Sequence, residues 1–303
     1  MPTIVLFIGA ALIWGSTYFA ITFQLGQVDP TVSVVYRFAI ASSSLFLWCA
    51  LRGDRLWLNW TTQRWLIFQG VTTFGITYVG VYHAERYLLS GLMSVLFVLV
   101  VFWSPVFERI VFGKPLTWHI CSAAAVAGCG VIMMCSQTVG LTWVSISSGK
   151  GGAFFIGLGL ALSATLTFAM GGVSAVKIRQ SSSNSMLTLA WAMFWGALSV
   201  ALWVALTGTE WRLPTETSYW ISLCYLSLFG SVLTFSALFT LIHRIGAQKA
   251  MYIEVVTPAI AVLLSMRWEQ YRPATIEWCG IALTLCSVAW ALAPRSTKLH
   301  VID

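Results

Sequence analysis

The sequence predicts an all-α polytopic membrane protein: ten transmembrane helices arranged as two inverted five-helix repeats. Three observations carry that prediction. Apolar side chains make up 58% of the 303 residues and charged ones only 9%, with a mean hydropathy of +0.83, whereas soluble domains carry about 25% charge. Polar punctuation cuts the chain into ten apolar stretches, each near the roughly 20 residues that a helix needs to cross about 30 Å of hydrocarbon. The punctuation of the first five stretches returns, in order, in the second five.

The expected helices 1 to 10 cover residues 3–23, 31–51, 65–83, 91–112, 117–135, 152–173, 185–207, 219–242, 247–266 and 274–293. A transmembrane barrel would alternate apolar and polar residues, yet the runs Val95 to Trp103 and Ile281 to Leu292 are apolar on both parities, which selects helices. Short connections make successive helices antiparallel neighbours. Sixteen Trp, many near the ends of the stretches, fit the aromatic belts found where helices meet headgroups. The seven cysteines, Cys49, Cys121, Cys129, Cys135, Cys224, Cys279 and Cys286, include no CxxC and no His at metal spacing, so they read as small core residues. The first stretch lacks a charged n-region and is one of many, so it is expected to be a span and not a cleaved leader.

Net charge is +7, with no block of like charges able to grip nucleic acid. The basic residues instead set orientation. With the N-terminus inside, eleven fall on the cytoplasmic side (Arg52, Arg55, Arg64, Arg109, Lys114, Lys177, Arg179, Arg244, Lys249, Arg295, Lys298) and five outside (Arg86, Lys150, Arg212, Arg267, Arg272). Both termini are therefore expected in the cytoplasm.

The repeat is weak but ordered. Phe74-Gly75 and Phe229-Gly230 each open a helix that ends in a basic turn, Glu85-Arg86-Tyr87 or His243-Arg244-Ile245-Gly246-Ala247. A proline-bearing helix follows, with Pro105 or Pro258, then a polar turn, Phe112-Gly113-Lys114-Pro115 or Trp268-Glu269-Gln270-Tyr271. Each half closes on a helix carrying Gly128 and Gly130, or Gly280. The expected halves are 1–146 and 147–303. Five is odd, so the second copy enters the membrane upside down, as in secondary transporters that bind substrate at midplane between their halves.

These residues resemble the drug/metabolite transporter superfamily, and within it the ten-helix EamA-type exporters, over nearly the whole chain. Leu12-Ile13-Trp14-Gly15-Ser16-Thr17 is similar to the family's first-helix signature and Tyr36-Arg37-Phe38 to its second-helix arginine. Arg244-Ile245-Gly246-Ala247, then Pro258, then Glu269, is similar to its second-repeat pattern. One departure stands out: Gly113-Lys114 occupies the first-repeat Gly-Glu turn, and Pro105 sits about one turn late. The resemblance implies a bacterial inner-membrane carrier of small metabolites, often amino acids exported from the cytoplasm, without ATP hydrolysis.

A charge near the bilayer centre costs about 2.5–3.5 kcal/mol on insertion scales, so charges inside spans single themselves out. Arg37 lies about six residues into helix 2, some 9 Å deep at roughly 1.5 Å per residue. Its fork suits a carboxylate or phosphate; the structural alternative is bonding to helix-end carbonyls or snorkelling outward. Glu254 lies roughly seven residues into helix 9, about 10 Å deep, a candidate for proton coupling or for holding a substrate amine, with a locally bonded packing role as the alternative. Pro258, one turn on, frees the carbonyl of Glu254 itself. Pro258 and Pro105 are the candidate hinges, or bare packing kinks. Polar and aromatic faces at helical spacing supply the other substrate candidates: Ala10, Trp14 and Thr17; Gly75, Tyr78, Tyr82 and Glu85; Gly159, Ser163 and Thr167. Such faces suit a cavity wall or a close helix contact. The aromatic pair Trp191/Trp195 reads as packing, and Ala123/Ala127, Ala124/Gly128 and Gly157/Ala161 as sites of backbone approach.

An embedded transferase would need a base, a nucleophile or a metal cluster. Asp29, Asp54, Asp303, His83, His119, His243 and His300 form no HxxxD, HExxH or DxD pattern, and no phosphate loop is present. No enzyme activity, cofactor or metal is expected. The expected partners are a small-molecule solute and the lipid bilayer, with protons as a candidate coupling ion against facilitated diffusion or exchange, and no nucleic acid. The function expected is amino-acid export or a related efflux by alternating access, against an embedded transferase or lipid-handling protein, or a facilitative exchanger of nucleobases or drugs.

Overall fold

A computed structural model describes residues 2–146, 152–181 and 184–293; Lys150, Arg295, Lys298, His300, Asp303 and the expected start of the second half at residue 147 lie outside the described residues. The described chain is helical throughout. Helices α1 (Thr3–Thr22) and α2 (Pro30–Leu51) are continuous. Helix α3 covers 60–84 with a π-helical centre at Gly70–Ile76. Helix α4 (Ser90–Phe112) is interrupted at residues 98–99. Helices α5 (Trp118–Ile146), α6 (Gly152–Ser181) and α7 (Ser185–Thr207) follow. Helix α8 (Thr217–Ile245) has a π-helical centre at Tyr225–Leu233, α9 (247–268) is interrupted at 251–252, and α10 is Thr275–Leu292. By length and composition eight of these can cross a membrane; α3 and α9 are not among them.

The ends follow from local chemistry. Asp29, Asn59 and Asn184 accept backbone N–H groups of Thr31, Thr62 and Leu187, and so cap α2, α3 and α7. Because Asn59 caps it, α3 starts at residue 60, not 65. Gly113 and Gly208 end α4 and α7 in the left-handed conformation. Helices α5 and α6 run past the expected limits of 135 and 173, since polar residues mark a membrane boundary without ending a helix.

Cross-helix contacts show how the corresponding helices meet. Along the α5–α10 pair, His119 Nε2 meets the Trp290 carbonyl (3.0 Å), Ser287 Oγ donates to the Ala123 carbonyl, and Thr284 Oγ1 to that of Ala127 (3.5 Å). One number rises as the other falls, so these corresponding helices of the two halves are antiparallel. The pairing is reciprocal: α1 packs along α8 and α6 along α3, α1 against α9 and α6 against α4. Helices α2, α4 and α5 each pack on their own counterparts α7, α9 and α10. Gly130 and Gly280 face each other so closely that a Cβ on Gly280 would lie 2.5 Å from the Gly130 carbonyl oxygen. Gly128, by contrast, faces open space, so the Ala124/Gly128 stripe does not provide the approach expected of it.

The π-helical centres were not foreseen. In them hydroxyls bond carbonyls five residues back: Thr77 to Thr72 (2.8 Å), Ser231 to Leu226 (2.9 Å) and Thr234 to Phe229 (2.6 Å). These hydroxyls supply extra donors to the carbonyls of the widened turns. The helix breaks do not coincide with the prolines. Pro105 and Pro258 lie inside continuous α-helix, and the interruptions fall six or seven residues earlier, at Val98–Leu99 and Met251–Tyr252.

Candidate functional site

Between the halves lie two adjoining cavities. The larger, about 420 Å³, is walled by α1, α3, α6, α7, α8 and α9, and reaches the N-terminal face of the membrane at Arg179, Ser185 and His243. The smaller, about 50 Å³, lies deeper, against Tyr18, Ile21, Arg37, Tyr78, Phe97 and Thr257. Trp14, Phe168, Phe235 and Glu254 border both. Glu254 thus stands where the two meet, ringed by aromatic faces.

The opposite face is closed. There Ser33 and Tyr219 share a hydrogen bond (2.7 Å), His83 Nε2 meets Thr31 Oγ1 (3.0 Å), and Glu269 at the end of α9 accepts from the backbone N–H (3.3 Å) and hydroxyl of Ser90. Glu269 therefore closes the N-terminus of α4, where unpaired N–H groups favour a carboxylate. Lys114, at the matching place of the first half, pairs with Glu108 (2.8 Å). An outer recess of about 360 Å³ shares no lining residue with the chamber. At its rim the exposed Arg212 guanidinium hydrogen-bonds Glu210 (2.7 Å) and holds that carboxyl below the usual carboxylate range.

Arg37 is 1% exposed, neither snorkelling nor capping a helix end. Its Nε donates to Ser231 Oγ (3.1 Å) and Nη1 to Tyr82 Oη (3.4 Å), while Cζ lies 4.8 Å from the centre of the Tyr78 ring. It ties α2 and α3 to the π-helical centre of α8. Trp14 Nε1 donates to the Gly230 carbonyl in that same centre (3.2 Å), edge-on to Phe235. Thr17 lines the deeper cavity, with its methyl close to where a Gly230 Cβ would stand.

Of the substrate candidates, Trp14, Thr17, Tyr78 and Glu254 border the cavities. Tyr82 does not; fully buried, it anchors Arg37 from behind. Ser163 is exposed and donates to the Leu160 carbonyl of its own helix, and Thr167 bonds Thr77 (2.8 Å) across the α3–α6 contact. The face of α6 that meets the chamber is the next one round, Phe168, Gly172, Ala175 and Arg179, spaced i, i+4, i+7 and i+11. Phe235, Leu238, Phe239, Ile242 and His243 form a similar stripe on α8. Both periodicities are present in the sequence, but as apolar faces they do not separate cavity from core. Neither Pro258, one turn after Glu254 on α9, nor Pro105 borders a cavity.

The EamA-like transporter family matches residues 1–136 and again 155–293. The uncharacterized inner membrane transporter YedA of Escherichia coli is 27% identical over 291 residues, spanning 91% of this chain and 86% of the relative. An uncharacterized transporter of Synechocystis is 21% identical over 96% of this chain and 90% of its own. A solved crystal structure at 15% identity superposes with a TM-score of 0.64 over 95% of this chain and 96% of that one, a likeness of fold alone. Two family matches in one chain, on a helical bundle whose halves contact one another reciprocally, identify this protein as a membrane transporter belonging to the EamA-like transporter family.

Proposed function

We propose that the protein is a secondary carrier that moves small amphipathic metabolites, amino acids among them, out of the cytoplasm by alternating access across a bacterial inner membrane. The single observation behind this reading is the chamber that reaches one face only, with Glu254 at its inner end. A carrier needs a polar site that one face reaches at a time. Rings of Trp14, Phe168 and Phe235 offer area to an apolar side chain, and Glu254 offers charge to an amine. The excess of basic residues beside the open face supports a cytoplasmic placement of that face and of both termini. The placement in the inner membrane is supported by the printed name of the Escherichia coli relative.

In this reading Trp14, Thr17, Tyr78 and Glu254 touch the solute. Arg37 and Tyr82 position α8, and the interruptions that precede Pro105 and Pro258 let α4 and α9 bend. Glu254 makes no ion pair among the described residues, so its carboxyl is open to a proton or to an ammonium group. The test is flux in proteoliposomes with amino acids, nucleosides and organic cations, with and without a pH gradient. Transport of at least one amine-bearing solute is expected, with Glu254→Gln abolishing its dependence on the gradient. No flux for any of the panel would remove the carrier reading, and an unchanged gradient response in Glu254→Gln would remove that residue from it.

A further inference from the structure

Glu85 belongs to no part of the chamber. It follows the last residue of α3, one turn beyond Tyr82, and begins the turn that leads into α4 on the closed face. Its side chain is buried, the residue 6% exposed, and neither carboxylate oxygen has a hydrogen-bond partner. The charged and titratable groups around it are accounted for. Arg37 from α2 is within electrostatic range, with Nε on Ser231 and Nη1 on Tyr82, but makes no hydrogen bond to either Glu85 oxygen. Glu269 at the end of α9 is the carboxylate that acts on it, and that group is bonded to Ser90. From α1, Tyr18 feels its charge, as does Tyr82 on its own helix. Within its own turn, His83 is bonded to Thr31 and Arg86 lines the outer recess.

An ionised carboxylate without donors is among the costliest groups to bury, whereas the neutral acid is far cheaper. A second carboxylate in range adds repulsion between charged forms. Five residues after Glu85 stands Ser90, whose N–H and hydroxyl Glu269 holds. Loosening of the turn over residues 85–89 would expose Glu85 to water, and would also loosen the start of α4 that Glu269 closes. We propose that Glu85 is a proton-binding site on the closed face: one carboxylate oxygen holds a proton while α4 and α9 are latched through Ser90 and Glu269, and releases it to water as that face opens. This rests on the carrier reading, and adds a titrating group on the side of the molecule opposite the chamber mouth.

The test uses the full chain in lipid bilayers and needs no transported solute. Infrared spectra should show the C=O stretch of a protonated carboxyl that fades as pH is raised; Glu85→Gln should lose this component and Glu254→Gln should keep it. Hydrogen exchange of the segment 85–92, corrected for the intrinsic pH dependence of exchange, should rise as the band fades in the wild type and stay low in Glu85→Gln. Glu85→Asp, which keeps the carboxyl, should retain a titrating band if the glutamine variant does not fold. A spectrum of Glu85→Gln matching the wild type would overturn the proposal. So would exchange that follows pH equally in both, or a band that answers to sodium at fixed pH. A failed solute screen leaves this spectrum untouched, so the two readings fail separately.

Discussion

Arg37 is a buried charge that ties the architecture of the transporter together on the wall of its deeper cavity. Two neighbours bond the guanidinium and a third, Tyr78, lies under it, joining three helices at one point. Ser231→Ala removes one acceptor and leaves a buried charged donor unmet, at a cost of about 1.5–3 kcal/mol. The expected outcome is a lower thermal midpoint in detergent, with Arg37→Lys falling at least as far, because an ammonium cannot fill a planar fork. A midpoint unchanged in both variants would show that the bonds carry no stability. At this scale the sequence was informative where chemistry is rare. Arg37 and Glu254 announce themselves as charges inside apolar runs, and both face inward. Hydroxyls are less telling, because Ser163 and Thr167 can satisfy themselves on their own backbone or across a helix contact, and about 100° of helix rotation separates them from the wall that Phe168 forms.

Among the elements, the α5–α10 contact and the π-helical centres make separate claims. Gly130→Ala and Gly280→Ala each force a methyl group against opposing backbone, with the Gly130 Cβ 2.7 Å from the Gly280 carbonyl oxygen. Overpacking of this kind costs about 1–3 kcal/mol. Gly128→Ala, two residues away with nothing within 4 Å, should be neutral or raise stability by about 0.5–1 kcal/mol through lower chain entropy in the unfolded state. The contrast is read as thermal midpoints of three variants side by side; equal losses at all three positions would refute the packing account. Thr234→Val removes the hydroxyl that meets the Phe229 carbonyl, and infrared or exchange data should report weakened protection over residues 229–235. Helix count and order were legible from hydropathy and polar punctuation; the start of α3 was not, because the Asn59 cap lies in a polar stretch that hydropathy places outside the span. The π-helical turns were not, since a Thr or Ser in an apolar helix signals equally a bond to a carbonyl three, four or five residues back. The interruptions of α4 and α9 were displaced from the prolines that drew attention to them.

Across the whole molecule, the difference between Glu269 and Lys114 matters most. One end of the α4–α9 pair is held by a carboxylate on a helix N-terminus; at the mirrored end Lys114 is paired with Glu108. That asymmetry agrees with a chamber reaching the N-terminal face and a closed opposite face. Lys114→Glu offers the start of α9 a carboxylate, and should shift the population toward a closed N-terminal face. The measurement is labelling of a Ser185→Cys variant by an impermeant thiol reagent in inside-out vesicles, expected to slow with Lys114→Glu and to speed up with Glu269→Gln. Identical rates in all three backgrounds would show that these residues do not set the balance. The two-half arrangement itself was readable, because Phe-Gly, Pro and Gly landmarks return in the same order. The chamber's volume and the face it reaches were not, since they depend on how ten helices lean together.

The antiparallel match of α5 with α10 has a consequence for biosynthesis. A body whose two parts exchange places when it is turned over offers the bilayer almost the same outline either way, so shape gives the insertion machinery no compass. Direction would then rest on the modest surplus of lysine and arginine in short connections. Moving a few of these cations from one set of loops to the other should yield a mixture of upright and overturned molecules, each properly packed.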